Sequence, residues 1–189
     1  GFTEMYAQEE SPRVIAAVRE AARGLADLGA TVETTSTQWE DFFPSFLVCT
    51  YLFPTGAPQG DPPPPDVWNS ALDTRQRNWS RFREVLADHE VILSATSQLV
   101  ARPVEEWDAN WVGNGPSFTP HGTFAPVYTS HTHMFNWLGF PAVSVPCGFV
   151  DGLPIGLQIV WLPGREPTIL RVANAFQRAF PRLEHPTVS

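Results

Sequence analysis

The stretch His131–Trp161, HTHMFNWLGFPAVSVPCGFVDGLPIGLQIVW, is the most strongly patterned part of the chain. Glycines and prolines interrupt it at regular intervals and separate short apolar runs. Gly139 and Pro141 follow the first of these runs, and helices commonly end at a glycine with a proline shortly beyond it. We therefore predict a helix over about 129–138.

Two apolar runs after this helix predict a β-hairpin. They cover 142–145 and 155–161, which are lengths typical of strands. The dipeptide Asp151-Gly152 lies between them and is typical of tight two-residue turns, because both positions tolerate a left-handed backbone. Strands joined by such a turn run antiparallel, so part of the sheet is expected to be antiparallel.

The clearest helix signal lies near the start of the chain, in residues 11–29 (SPRVIAAVREAARGLADLG). Ser11 can cap the free N–H groups, Pro12 suits the first helical position, and Gly29 suits the left-handed position after the last turn. The predicted buried face of this helix carries Val14, Val18, Ala21, Ala22, Leu25 and Leu28.

Further segments complete a predicted α/β pattern. Residues 31–35 alternate like a strand, and if Gly1-Phe2 ends a preceding strand, the first helix connects two parallel strands. Val91–Leu93 is an apolar run typical of a buried strand. Helices are expected over about 68–87 and from Glu166-Pro167 onward. Their predicted apolar faces carry Trp68, Leu72, Trp79, Phe82 and Leu86 on the first, and Ile169, Val172, Ala173, Phe176 and Phe180 on the second.

The fold class that follows is α/β, with a mixed β-sheet covered by helices and all of residues 1–189 in one unit. Two segments lack regular patterning. Residues 54–67 contain four consecutive prolines and are predicted to be an exposed loop. Residues 95–127 form a long irregular segment, and such segments often border a functional cleft.

Composition excludes several function classes. The net charge of −8 argues against nucleic acid or an anionic membrane surface as a partner. Two distant cysteines make no disulfide framework and no zinc spacing, so we expect a reduced, cytoplasmic compartment. No apolar run approaches the ~20 residues of a membrane-spanning helix.

The histidines His121, His131 and His133 are close in sequence and could suggest a metal site. Metal ligands must converge on one point. On a helix, however, residues two apart point about 200° away from each other, so His131 and His133 would not share an ion there. We therefore predict no metal and no other cofactor, and expect these histidines to be polar cleft or surface residues.

Ser130, Ser144 and Cys147 are nucleophile candidates by residue type only. A working serine or cysteine needs an adjacent base and an oxyanion hole, and no G-x-S-x-G turn occurs in the sequence. Cys147 at the end of a predicted strand is expected to be a small buried apolar side chain. All 12 basic residues are arginine, because the sequence contains no lysine. We therefore assign no catalytic residue to this chain.

The glycines, prolines and polar residues of 131–161 and their spacing resemble those of a known family. The pattern Asn136-x-x-Gly139-x-Pro141-Ala142-x-Ser144-x-Pro146-x-Gly148, followed by Gly152-Leu153-Pro154-x-Gly156-Leu157-Gln158, closely resembles the C-terminal part of amidase signature enzymes. Residues 12–32 and 170–176 resemble that family's corresponding helix–strand unit and last helix. The resemblance is weakest over 36–67 and 97–127.

The resemblance implies hydrolysis of a carboxamide C–N bond through an acyl-enzyme. Family members use a Ser nucleophile, a second Ser in a cis peptide and a Lys, all from an N-terminal Gly/Ser-rich region. This chain has no such region and no lysine. We therefore expect it to be the C-terminal portion of an amidase, inactive alone, whose triad lies on an N-terminal amidase portion outside the chain. Cleavage, a separate subunit or a shortened sequence would each give this arrangement.

One position bears on the substrate. In the tRNA-dependent amidotransferase A subunits of this family, an acidic residue that holds the amino group of glutamine lies seven positions before the motif Asn. Thr129 occupies that position here, and a neutral hydroxyl cannot offset a buried ammonium charge. The resemblance therefore favours a neutral or apolar small-molecule amide over glutamine. The aromatic residues Phe118, Phe124, Phe135 and Trp137 would suit such a substrate or belong to the core, and the sequence leaves this open.

The predicted substrate-binding residues are Thr129, His131 and His133 on the third helix and Ile155 on the hairpin. The predicted partners are the N-terminal amidase portion and the amide, and the whole enzyme could form a homo-oligomer. The alternative hypothesis is a non-catalytic binding or scaffolding module that retains half of the amidase fold.

Overall fold

The structure, a computed structural model, describes residues 1–3, 11–35, 45, 48, 63–101 and 124–180, and for residues 2, 3 and 124–130 it describes the backbone alone. The elements in chain order are β1 (Phe2–Thr3), α1 (Pro12–Asp27), β2 (Thr34–Thr35), α2 (Pro65–Ala87), β3 (Ile92–Ala95), α3 (Phe124–Leu138), β4 (Ala142–Val150), β5 (Leu153–Val160) and α4 (Glu166–Ala179). No helix among these residues is long and apolar enough to cross a membrane.

One mixed sheet joins the five strands in the order β2-β1-β3-β5-β4. β1 pairs in parallel with both β2 and β3, so the predicted parallel pair with α1 as its crossover is confirmed. β5 pairs antiparallel with β3 on one side and with β4 on the other. The predicted α/β fold with a mixed sheet is thus confirmed.

The hairpin forms where it was predicted, with longer strands. Asp151 and Gly152 have φ angles of 53° and 77°, the left-handed values that a tight two-residue turn requires. The register shifts between Pro146 and Gly148, which is the mark of a β-bulge. β4 continues past this shift to Val150.

α1 ends at the predicted glycine but does not use the predicted N-terminal cap. Gly29 has φ 96°, and the N–H of Ala30 bonds the carbonyl of Leu25 at 3.1 Å, which closes the last turn. Ser11 makes no side-chain cap. Its backbone N–H instead donates to the carbonyl of Gln98 at 3.0 Å, so a tertiary contact holds the start of the helix. Leu28, predicted to be buried, is exposed because the helix ends before it.

Helices cover both faces of the sheet and create two apolar clusters. On the first face α1 and α4 pack against β3, β4 and β5. On the second face α2 and α3 pack over the start of β3 and the end of β5. The first cluster includes Val14, Val18, Leu25, Leu93, Val145, Ile155, Leu157, Ile159, Ile169 and Phe176. The second includes Phe82, Leu86, Ile92, Met134, Phe135, Trp137, Leu138, Phe140 and Val160.

Several predicted bounds and faces are wrong in detail. α2 begins at Pro65, inside the segment 54–67 that was predicted to be a loop, because a proline suits the first helical position. Residues 54–62 lie outside the described part. α3 begins at Phe124 and so takes the end of the irregular segment 95–127. Leu72 is exposed, while Asn78 on the opposite stripe of α2 is fully buried.

Arg75 of α2 anchors the C-terminal end of α3. Its Nε donates to the carbonyl of Trp137 at 2.6 Å and its Nη2 to that of Leu138 at 3.1 Å. These carbonyls belong to the last turn, where a helix has unbonded acceptors and a partial negative charge. The last turn of α3 holds no basic residue of its own. The guanidinium therefore completes this helix end and fixes α3 relative to α2.

We expect Arg75→Ala to lower the free energy of unfolding by about 1.5–3 kcal/mol, because it leaves two carbonyls without a charged donor. Arg75→Lys should recover part of this loss, since a lysine is a single point donor and not a fork. Arg171→Ala, on an exposed position of α4, is the matched control and should change stability by less than about 0.5 kcal/mol. Urea unfolding followed by circular dichroism measures the three values, and equal losses for the two alanine variants would contradict the role of Arg75.

Candidate functional site

A strip of small polar residues crosses three strands on the sheet face that α3 covers. We call it the polar strip, and it consists of Ser94 and Thr96, Ser144, and Gly156 and Gln158. Successive residues of a strand point to opposite faces, and Ile92 and Val160 on this face already belong to the cluster under α3. The face therefore changes from apolar at the start of β3 to polar at its end.

The inner end of the polar strip is buried. Ser94 lies opposite Gln158 in the register, and Gln158 lies opposite Ser144 on its other side. The Gln158 Nε2 donates to the Ser94 Oγ at 3.1 Å. Both side chains are almost completely buried, where a polar group is costly unless it is hydrogen-bonded. This bond therefore stabilises two polar side chains beneath the helix layer.

The outer end of the strip is open to solvent. There the Thr96 Oγ1 and the Ser144 Oγ lie 2.6 Å apart, within the usual range for an O–H···O bond. The two hydroxyls meet above Gly156, where an added Cβ would lie 2.6 Å from each oxygen. The Thr96 N–H also donates to the Gly156 carbonyl at 2.9 Å. A glycine at this position is therefore what allows β3 and β4 to touch across β5.

His131 connects α3 to the same end of β3. Its Nδ1 lies 2.7 Å from the carbonyl oxygen of Ala95. Because a carbonyl can only accept, Nδ1 carries the proton in this contact. The side chain is buried, so this histidine is a tertiary contact between helix and sheet and sits next to the polar strip. The sequence had placed it at a cleft.

The other predicted binding residues do not all converge with His131. His133 is half-buried on the same helix, and burial lowers its pKa below the usual value. Thr129 lies on the backbone of α3 half a turn before His131, and its side chain is outside the described part. Ile155 is buried in the cluster on the opposite face, against α1 and α4. Substrate binding by these four residues stays a prediction.

Two of the four aromatic residues that the sequence left open belong to the core. Phe135 is fully buried and Trp137 nearly so, and both pack in the cluster between α2, α3 and the sheet. Phe135 contacts Phe82 edge to face, with ring centroids 5.2 Å apart. Phe118 and the side chain of Phe124 lie outside the described part.

The nucleophile candidates find different surroundings. Among the residues that the structure describes, the Ser144 hydroxyl pairs with the Thr96 hydroxyl and with no base. Burial raises the pKa of the Cys147 thiol to about 12, so this thiol stays protonated at neutral pH. The cysteine was expected to be buried, and it is half-buried and packs against the first cluster. The side chain of Ser130 lies outside the described part. Across the described ranges, no three His, Cys, Asp or Glu residues come together as metal ligands would.

Sequence reasoning missed the polar strip as a unit. Ser144, Gly156 and Gln158 belong to the family motif, whereas Ser94 and Thr96 lie about 50 residues earlier and outside it. A signal was present, because polar residues alternate with apolar ones in ILSAT just as they do in IGLQI. The sequence did not reveal that β3 pairs with β5, because periodicity does not show which strands distant in sequence become neighbours.

This fold and motif identify the family. The family model described as Amidase matches residues 64–170, which is more than half of the 189 residues. The chain belongs to this amidase family. The match spans α2, both hairpin strands and the whole polar strip.

Curated relatives match over a short stretch. The A subunit of glutamyl-tRNA(Gln) amidotransferase from Methanosarcina acetivorans is 56% identical over 48 residues, and that of Geobacillus thermodenitrificans is 61% identical over 44 residues. These alignments cover 25% and 23% of this chain and 10% and 9% of the relatives. The similarity to these proteins is therefore local.

Solved structures match along nearly the whole chain. A 6-aminohexanoate cyclic dimer hydrolase superimposes with a TM-score of 0.72 at 20% identity. The corresponding glutamyl-tRNA(Gln) amidotransferase protein of Thermotoga maritima superimposes with a TM-score of 0.69 at 23% identity. Each match covers 94% of this chain but only 44% and 42% of those structures. The chain thus shares their fold and spans less than half of their length.

We expect Gly156→Ala to lower the free energy of unfolding by about 1–3 kcal/mol, because the new Cβ overpacks the space under the two hydroxyls. The contact at 3.0 Å to the Thr96 Cβ cannot be relieved by a hydroxyl rotation alone. Gly148→Ala in β4 is the matched control, since its Cβ would meet the Ala17 Cβ at 3.4 Å. Urea unfolding should separate the two variants by at least about 1 kcal/mol, and similar stabilities would show that the close approach over Gly156 is unimportant.

The Cys147 thiol should be nearly inert to alkylation in the folded protein. With a pKa of about 12, about one thiol in three thousand is ionised at pH 8.5, whereas about half of an exposed thiol is ionised there. In a Cys49→Ala variant, which leaves Cys147 alone, iodoacetamide should react about a thousandfold faster after unfolding in urea. Mass spectrometry of the alkylated chain measures both rates, and a folded rate within about tenfold of the unfolded one would contradict the burial of this thiol.

Proposed function

We propose that this chain is the C-terminal portion of an amidase that hydrolyses a carboxamide C–N bond, and that its triad is supplied by an N-terminal portion outside the chain. The observation that carries the proposal is the match of residues 64–170 to the Amidase family in a chain without lysine. A Ser–cis-Ser–Lys mechanism needs a lysine that these residues cannot provide. The shared fold with structures more than twice as long supports the same division.

The free edge of β4 supports the docking of such a portion. The N–H of Trp161 donates to the carbonyl of Pro141 at 3.3 Å, and inward and outward groups alternate along an antiparallel strand. The backbone groups of Ala142 and Ser144 therefore point away from β5. Within the described ranges no strand pairs with them. Because Pro146 lacks an N–H, a partner strand would pair with the first half of β4.

The division of chemical work follows from this arrangement. On the N-terminal portion, the lysine would keep the cis serine basic, and that serine would take the proton of the nucleophilic serine as it attacks the amide carbonyl. Backbone N–H groups would hold the oxyanion, the amine would leave, and water would cleave the acyl-enzyme. This chain would contribute sheet strands and one wall of the pocket. The part of the polar strip at Ser144 is the most suitable pocket wall on this chain, because Ser144 lies on the edge strand β4.

A neutral small-molecule amide is the proposed substrate class. Thr129 stands where the A subunits carry an acidic residue, and it cannot balance the ammonium group of glutamine. The described side chains of the polar strip are also uncharged. The local similarity to the glutamyl-tRNA(Gln) amidotransferase proteins therefore supports amide chemistry in general and not their substrate.

A fluorophosphonate probe, which reacts with activated serines, tests the proposal. The chain is tagged in its native source and purified, the preparation is labelled, and intact masses of all polypeptides are measured. We expect a second polypeptide segment with a Gly/Ser-rich region and a lysine to carry the label, and this chain to stay unlabelled. The same preparation should release ammonia or an amine from a neutral amide at least about tenfold faster than from glutamine.

Two outcomes would overturn the proposal. Label on a serine of this chain would place the nucleophile here and contradict an external triad. A monomeric, folded chain without a companion and without activity would support the alternative, a non-catalytic binding module. A heat-denatured sample of the same preparation, treated with the probe in parallel, is the control, because a serine without an activating base should not react with the fluorophosphonate.

A further inference from the structure

We propose that the hydroxyl pair formed by Thr96 and Ser144 is a subsite for a neutral primary carboxamide. The inference rests on the proposed function, because it names the substrate group that the pocket wall of this chain would hold. It is carried by the 2.6 Å contact between the hydroxyl of the half-buried Thr96 and that of the exposed Ser144 above Gly156. It concerns binding and positioning, and no bond is made or broken at these oxygens.

Counting protons and lone pairs shows what the pair can bind. Each hydroxyl has one O–H donor and two acceptor lone pairs. One O–H is used between the two oxygens, so the pair presents one donor and three acceptor positions to solvent. A primary carboxamide has the complementary set, with a carbonyl that accepts and an NH₂ that donates. Two such bonds can form side by side at one pair.

Charge separates this ligand from similar ones. A carboxylate offers acceptors only, so it would meet one donor and several lone pairs at this site. Neither hydroxyl is charged, and their neighbours Ser94 and Gln158 in the strip are neutral as well. An anion would therefore lose more hydration than it gains here. A ketone could accept the single O–H but would leave the outward lone pairs unused.

The fold holds the pair in place before any ligand arrives. The N–H of Thr96 is fixed on the Gly156 carbonyl at 2.9 Å, and the branched Cβ of a threonine restricts its rotamers. Ser144 lies in register with Gln158 on the neighbouring strand. A glycine inside a strand weakens it and often marks a place where another group approaches closely. The glycine at 156 therefore leaves the space in which the two hydroxyls meet.

The test uses the complete chain as purified, labelled with ¹⁵N, and three probes of equal size. These are butyramide, 2-pentanone and butyrate, which differ only in replacing NH₂ by CH₃ or O⁻. We expect butyramide to shift the amide signals of Thr96, Ser144 and Gly156 saturably, and to bind more tightly than the ketone, with butyrate weakest. Loss of one hydrogen bond should weaken butyramide binding about 3- to 10-fold.

Variants assign the effect to the two hydroxyls. Thr96→Val and Ser144→Ala should each give a loss of about 3- to 10-fold, whereas Thr96→Ser, which keeps the hydroxyl, should bind like the original chain. Unchanged urea midpoints and backbone spectra exclude unfolding as the cause. Equal binding of the three probes, no saturable shift, or unchanged binding in the Thr96→Val, Ser144→Ala double variant would overturn the subsite.

The outcome separates this inference from the proposed function. Butyramide binding needs no triad, so serine labelling and amine release in the previous experiment can fail while the subsite is present. Conversely, the enzyme could be an active amidase and show the same KM for a primary amide with and without the Ser144→Ala substitution. That result would support the proposed function and overturn the subsite. A carboxamide could also come from an Asn or Gln side chain of a companion polypeptide. Loss of the butyramide shifts in the assembled protein would favour that source and overturn the substrate assignment.

Discussion

The double pairing of β5 is the constraint on which the rest of this structure depends. β5 bonds β3 along one edge and β4 along the other, so it joins the parallel part of the sheet to the hairpin. Its alternate side chains then build both layers, with Leu157 and Ile159 under α1 and α4 and Val160 under α2 and α3. The same alternation leaves Gly156 and Gln158 on the face where polar groups from both neighbours can meet.

Placement of α3 depends on polar contacts at two levels. Arg75 holds its last turn through the carbonyls of Trp137 and Leu138, and His131 holds its middle through the carbonyl of Ala95. Met134 and Phe135 fill the space between these contacts with apolar packing. Directional bonds to backbone acceptors thus fix the height and rotation of a helix that apolar contact alone would leave free to slide. The position of the helix relative to the polar strip follows from them.

Errors in the sequence-based predictions have common physical causes. Ser11 was expected to cap α1 with its side chain, but it makes no such bond, and its backbone N–H donates to the carbonyl of Gln98, 87 positions away. Leu72 was expected inside because of its apolarity, yet the buried stripe of α2 runs through Asn78 and Phe82. Ile155, whose role in binding stays a prediction, lies on the other face from His131 because of strand alternation. In each case the deciding partner lies on an element distant in sequence.

Local chemistry alone determined the order of helices and strands, the turns at Gly29, Gly139 and Asp151-Gly152, and the family pattern of the hairpin. These features depend on the allowed backbone angles of single residues and on periodicity, which neighbours in sequence control. Only the tertiary structure decided that Thr96 and Ser144 meet, that His131 is a buried anchor, and that the edge of β4 stays free among the described strands. Such contacts depend on which strands lie side by side, and that choice is made by the packing of the whole sheet against its helices.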